Sequence, residues 1–137
     1  MGRWPTFGVR LLVAVTFVSS CHGSATGPNQ DPLTIGRWTG SGSCLSVTET
    51  ACDLVVGCGH GQFPRPALRA DGTFDVNGTY RIEAGPISIE PAPPAQFLGS
   101  VRGSSLTLTV SPSVPSLPPA SYSMALTGTG LCVVPCV

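Results

Sequence analysis

The stretch Thr73-Phe74-Asp75-Val76-Asn77-Gly78-Thr79-Tyr80-Arg81-Ile82-Glu83 decides how this chain folds, because it can be read in two incompatible ways. Asn77-Gly78 is a strong two-residue hairpin signal, since both central positions of the favoured turn need a positive φ. A turn there would set Val76 against Thr79, Asp75 against Tyr80 and Phe74 against Arg81, mixing apolar and charged side chains on each face. An unbroken strand instead puts Phe74, Val76, Tyr80 and Ile82 on one face and Asp75, Asn77, Thr79, Arg81 and Glu83 on the other. Only the second pattern can bury one face and wet the other. The sequence therefore predicts one long strand, with Gly78 marking a bulge or a barrel kink.

The same period of two runs outward from this strand. Asp71-Gly72 turns into it from Pro66–Ala70, and Arg102-Gly103-Ser104 links Phe97–Val101 to the alternating Leu106–Val110. Upstream, Leu45–Val47 turns near Glu49 to Ala51 into Asp53–Val56; downstream, Tyr122–Leu126 supplies a further strand and Cys132–Val134 a last short one. The proline-rich stretches 91–94 and 112–119 cannot donate ladder hydrogen bonds and read as exposed loops. No window keeps apolar residues at helical spacing long enough to make a helix. Counted from Trp38, the chain is an all-β antiparallel meander of eight or nine short strands. Closure removes the unpaired edges of such a meander, so a small up-and-down barrel is the expected architecture, with a two-sheet sandwich as the alternative.

Residues 1–20 have the layout of an export signal: basic Arg3 and Arg10, an apolar run from Leu11 to Val18, then Ser19 and Ser20. A run of about eight apolar residues is too short for a helix that must cross a bilayer. Val18-Ser19-Ser20-Cys21 resembles the lipobox of bacterial lipoproteins. The resemblance implies cleavage before Cys21, a diacylglyceryl thioether on its sulfur, acylation of the new amino terminus, and a membrane partner held through the acyl chains. Cleavage after Ala25, in Gly23-Ser24-Ala25, is the competing reading and would release a soluble protein. His22 stands where lipoproteins retained at the inner membrane often carry Asp, which implies a place in the cell envelope at the outer membrane.

Residues 21–34 then read as a flexible tether and 35–137 as a single β domain, long enough for one modest core. The chain has no lysine, and beyond the leader five arginines stand against seven acidic residues. So sparse and slightly negative a domain excludes nucleic acid as a partner, because that binding depends on many basic groups neutralising phosphates.

With Cys21 assigned to lipid, five cysteines remain, so within one chain at most two bridges form. Outside the cytoplasm disulfides are the default. Cys132 and Cys136 would stand about 13 Å apart along an extended strand, too far for a mutual bridge unless Pro135 bends the chain sharply. Cys44 has the opposite parity to Leu45 and Val47, whereas Cys52 and Cys58 share the parity of Leu54 and Val56, so without a bulge neither faces Cys44 cleanly across that hairpin. A closing meander brings its last strand beside its early ones, which makes a long-range bridge from Cys58 to the C-terminal pair natural, Cys136 being the first choice. The loop model credits such a bridge with about 4 kcal/mol. The pairing among Cys44, Cys52 and Cys132 stays open.

Cys58-Gly59-His60-Gly61 also has the spacing for a metal site or a Cys-His nucleophile pair. Neither is the first expectation, because four convergent ligands or an orienting third group are not evident and an oxidising compartment consumes thiols. His60 reads instead as a strand-end residue whose ring bonds a backbone carbonyl. No catalytic residue, metal or cofactor is expected.

Two further resemblances bear on the domain. Gly36-Arg37-Trp38 looks like the G-x-W that opens lipocalin-like barrels, where the Trp plugs one end; nothing after Arg102 is basic, so the Arg that lipocalins stack on that Trp has no counterpart. Cys58-Gly59-His60-Gly61, Asp71-Gly72-Thr73-Phe74, Gly78-Thr79-Tyr80 and the terminal cysteine, in that order, are similar to an uncharacterised group of small β-rich bacterial lipoproteins. That resemblance implies the fold, the location and the Cys58 to terminal-cysteine bridge. Cys44, Cys52 and Cys132 depart from its pattern.

The functional expectation is a non-enzymatic binding or envelope-structural module. As a carrier of a small apolar ligand, the barrel would have a cavity lined by residues such as Phe74, Tyr80, Leu108 and Met124. As a module for interaction with, or inhibition of, an envelope protein, it would have a filled core and contacts made by its proline-rich loops.

Overall fold

A computed structural model describes Gly2 and residues 31–83 and 91–136. The leader, Cys21, the tether up to residue 30 and the alternative cleavage site at Ala25 lie outside the described residues.

Eight strands follow one another in the chain: β1 (Gly36–Gly40), β2 (Ser43–Val47), β3 (Ala51–Val56), β4 (Gly59–Pro64), β5 (Thr73–Ile82), β6 (Pro94–Arg102), β7 (Ser105–Pro112) and β8 (Ala120–Gly128). Each pairs antiparallel with the next, and β8 returns to β1, so the sheet is a closed up-and-down barrel and not a sandwich. Two-residue turns drive this order. Gly42, Gly57 and Gly103 each take a positive φ of 55–70°, open to glycine at little cost. Asp71 shapes the turn into β5 by accepting from the Thr73 amide at 3.1 Å and the Thr73 hydroxyl at 2.6 Å, and these bonds hold its carboxyl below the usual range.

The long strand is as read, with β5 passing through Asn77-Gly78 without turning. Its ladder with β6 is continuous from Thr73–Ser100 to Thr79–Pro94, so Gly78 carries no bulge on that side. The register irregularity is at the closing seam instead, between Arg37 and Trp38 against β8. Two strands were misplaced. Pro66–Ala70 contributes only one isolated bridge, Pro32 to Ala67, and Cys132–Val134 forms no ladder. The strand belonging before the Asp71-Gly72 turn is β4, hidden in the sequence by Gly59, Gly61 and a terminal proline. Pro94 and Pro112 are strand ends, where a missing N–H costs no ladder bond.

The interior explains those glycines. Phe63 stacks on Phe97 with ring centres 4.4 Å apart, and on Phe74 at 6.3 Å. Inward positions without a side chain lie against these residues: a Cβ at Gly61 would meet the Phe97 ring at 3.0 Å, and one at Gly78 would meet the Gln62 carbonyl oxygen, the Phe63 Cβ at 2.8 Å and the Phe97 ring at 2.9 Å. At Gly99 it would enter the Phe74 ring. Large rings over empty positions on the neighbouring strands fill a narrow barrel at the density of a protein core. Trp38, Leu45, Phe97 and Leu108 are wholly buried. The segment before β1 covers one end. Its Leu33 is wholly buried and its amide bonds to Pro66, while Arg65 Nε donates to the Leu33 carbonyl at 2.7 Å. Trp38 Nε1 donates to the Thr34 carbonyl at 3.2 Å.

This packing predicts a contrast between two glycines. Gly99→Ala forces a methyl into the Phe74 ring and is expected to cost about 2 to 3 kcal/mol. Gly103→Ala meets nothing within 4 Å and carries only the strain of φ +59°, about 1 kcal/mol. Urea unfolding of both variants checks this, and equal losses would contradict the ring-over-glycine account.

Candidate functional site

After Gly128 the chain leaves the barrel seam and runs outside it as a strap without ladder pairing. Two disulfides fasten the strap to the wall. Cys44 in β2 joins Cys132 with Cα atoms 5.5 Å apart, and Cys58 in the β3–β4 turn joins Cys136 at 4.6 Å. The expected Cys58–Cys136 bridge is present, and Cys44–Cys132 resolves the second pair. The parity argument explains the outcome. Cys44 faces outward with its ladder partners Thr39 and Val55, and it meets a segment crossing the outside; Cys52 faces inward between Val47 and Phe63 and keeps its thiol. Two such bridges are the pattern of a chain that matures in an oxidising, extracytoplasmic environment.

The strap changes the character of β2. All five of its residues are buried, Leu45 and Val47 in the core and Cys44 and Ser46 beneath the strap. On its own outer side the strap is bare, since Leu131 is 81% and Val133 89% exposed. Clefts flank it. One of about 540 Å³ includes Arg37, Ser43, Leu131, Val133 and Pro135, and one of about 430 Å³ includes Ile35, Ser46, Glu49 and Leu131.

The Cys58 and His60 pair is not a metal or nucleophile site, because the Cys58 sulfur is covalently committed to Cys136. His60 also departs from expectation. Its Nε2 lies 3.3 Å from Glu83 Oε2 rather than on a backbone carbonyl, and Arg81 holds the other carboxylate oxygen at 2.8 Å. Ladder pairing produces this cluster, since His60 stands opposite Arg81 and Glu83 follows two residues later on the same face. The Glu83 amide donates to the Cys58 carbonyl at 2.8 Å, tying the end of β5 to the bridged turn. Half-exposed ion pairs of this kind contribute little stability. Among the described residues, no three His, Cys, Asp or Glu side chains gather as a metal centre.

The four residues expected to line a ligand cavity are instead packed in the core: Phe74 is 2%, Tyr80 6%, Leu108 0% and Met124 4% exposed. A cavity that admitted a ligand would leave its lining accessible to water-sized contact; Phe74, Leu108 and Met124 are not, and Tyr80 borders only a cleft at the barrel mouth. At the mouth formed by the end of β5 and the start of β8, a cleft of about 220 Å³ lies between Tyr80, Ile82, Leu117 and Tyr122. It is smaller than ordinary small-molecule sites. Burial and a hydrogen bond to Tyr122 push the Tyr80 hydroxyl up to about 12. Burial, with Asp53 beside it, pushes the Cys52 thiol up to about 12, so the one free cysteine among the described residues is a packing group and not a nucleophile.

Comparison with protein-family models, with curated proteins and with solved structures finds no match to this chain. The sequence reading missed the exposed pair Leu131 and Val133. The available signal was Pro135 between two cysteines that cannot bridge each other, which disfavours a closing strand.

Two titrations follow from the buried groups. Alkylation at pH 8 is expected to modify none of the five domain cysteines in the native, unreduced protein, one after unfolding without reductant, and all five after reduction. Below pH 9 both Cys52 and Tyr80 are protonated whether the chain is folded or not. Between pH 9 and 12 the unfolded chain ionises first, so stability is lost as pH rises through that window. Native-state labelling of Cys52, or a urea midpoint flat from pH 8 to 11, would contradict the assignment.

Proposed function

We propose that this chain is a lipid-anchored, extracytoplasmic β-barrel acting as a non-enzymatic binding module, and that it binds through its outer surface as a protein-interaction or inhibitor module rather than by carrying an apolar ligand in its lumen. The observation that carries this reading is the filled interior, where the rings of Phe63, Phe74 and Phe97 occupy the space a ligand would need. Its surface offers the complementary features: a strap fixed at two points, wide clefts beside it, and proline-rich loops at one barrel mouth. The polar groups that do meet, His60, Arg81 and Glu83, satisfy one another on the surface. The anchor rests on Val18-Ser19-Ser20-Cys21 following an export signal, and the bridges agree with an oxidising side of the membrane. Absence of Asp after Cys21 favours the outer membrane.

Intact mass of the detergent-extracted protein, with an apolar fluorescent probe titrated into the same sample, tests both halves. The expected result is an acyl increment on a chain beginning at Cys21 and no saturable probe site. A chain lacking the increment would overturn the anchor, and one equivalent of probe bound inside the barrel would overturn the filled-core reading.

A further inference from the structure

Ile35, Leu131 and Val133 form one exposed apolar surface. Ile35 and Leu131 share one cleft beside the strap, and Leu131 and Val133 share the other, so the three side chains are neighbours on a single face of the barrel. Their exposures are 47%, 81% and 89%. Branched apolar side chains so fully in water, on a segment fastened by disulfides at two points, are costly unless something covers them. The bridges matter to the chemistry. They hold Cys132 and Cys136 against the wall, so Val133 cannot turn inward without moving a covalent anchor.

We infer that this face docks on the lipid bilayer, with Leu131 and Val133 entering the interfacial region. The inference rests on the lipid-anchored reading above and adds to it which face meets the membrane. The position where the tether joins the domain favours lipid as the occupant. Asp31 is only four residues before Ile35, so the chain enters the barrel within about 14 Å of the patch. Ten residue steps separate Asp31 from Cys21, a reach of about 35 Å at full extension, which is close to the length of the longest strand. An anchored barrel therefore never leaves the bilayer by more than about its own length. Tethering makes docking intramolecular, at an effective concentration on the order of millimolar, so a patch of three residues too weak to bind a membrane alone is sufficient. Charge does not drive the contact. Arg37 lies in one cleft and Glu49 in the other, and the domain's excess of acidic residues suits a zwitterionic surface.

The test places a fluorescent reporter on the strap of the full lipidated chain. Val133→Trp is reconstituted in phosphatidylcholine vesicles whose acyl chains are brominated, with Gln96→Trp, an exposed position on β6, as the control far around the barrel. Buried Trp38 supplies a constant background. The expected result is emission of the added tryptophan at least threefold lower in brominated than in unbrominated vesicles for position 133, and little change for position 96. Leu131→Trp repeats the measurement should the first variant fold poorly. Equal, small quenching at both positions would overturn the inference. So would emission at position 133 that is shifted to the blue, unquenched by bromine and accompanied by a dimer in crosslinking, because a second copy would then cover the face. Intact mass of the same sample reports the acyl groups on Cys21 separately, so loss of the anchor and loss of docking are read independently.

Discussion

The fold depends on aromatic rings lying where neighbouring strands have no side chain. An eight-stranded barrel has an interior just wide enough to be filled by side chains, and here Trp38 and the Phe63, Phe74 and Phe97 rings fill it together with buried leucines and valines. That solution keeps Gly61, Gly78 and Gly99 bare, because a Cβ would press on the Phe97 ring at Gly61, on the Gln62 carbonyl and the Phe97 ring at Gly78, and on the Phe74 ring at Gly99. It also fixes register. A one-residue slip of β5 would bring Asp75 and Asn77 inward in place of Phe74 and Val76. The register irregularity lies at the seam between β1 and β8, away from this packing.

A filled lumen leaves the outer surface for the binding proposed above, and the outside is not uniform. Most of the wall shows the alternation expected of a strand wet on one face, with polar pairs such as Gln62 to Asp53 and Gln96 to Asp75 at 2.9 Å. The sector over β1 and β2 is different because the C-terminal strap covers it, burying Ser46 and Cys44 while presenting Leu131 and Val133. The two bridges thus do more than stabilise. They turn what would be a loose tail into a fixed, apolar feature beside the point where the chain leaves for Cys21.

Much of this was legible in the sequence, and the gaps have physical causes. β5 could be read because its two faces separate cleanly, and that separation outweighed the Asn77-Gly78 turn signal. β4 could not, because an inward glycine has no hydropathy of its own. Gly59 and Gly61 are interior positions only by virtue of Tyr80 and Phe97, which come from β5 and β6. Strand parity excluded Cys44 from facing Cys52 or Cys58, yet its partner lies on a segment without periodicity, where no register argument reaches. His60 was read as a strand-end residue bonded to a backbone carbonyl, because its actual partner Glu83 is brought beside it by ladder pairing between β4 and β5, which local pattern does not encode. The lipid anchor and the membrane it implies rest on residues before Asp31, and their support is the sequence pattern itself.

The central claim is that the barrel interior is a closed core with no room for a guest. Methyl chemical shifts of Leu54, Leu106, Leu108 and Val110 under xenon pressure test it most directly, since xenon enters dry apolar cavities and perturbs the methyl groups lining them. The account predicts that these four residues show no saturable shift while exposed Leu131 and Val133 show only weak, linear ones. Saturating shifts of the interior methyls at about one xenon per chain would contradict it.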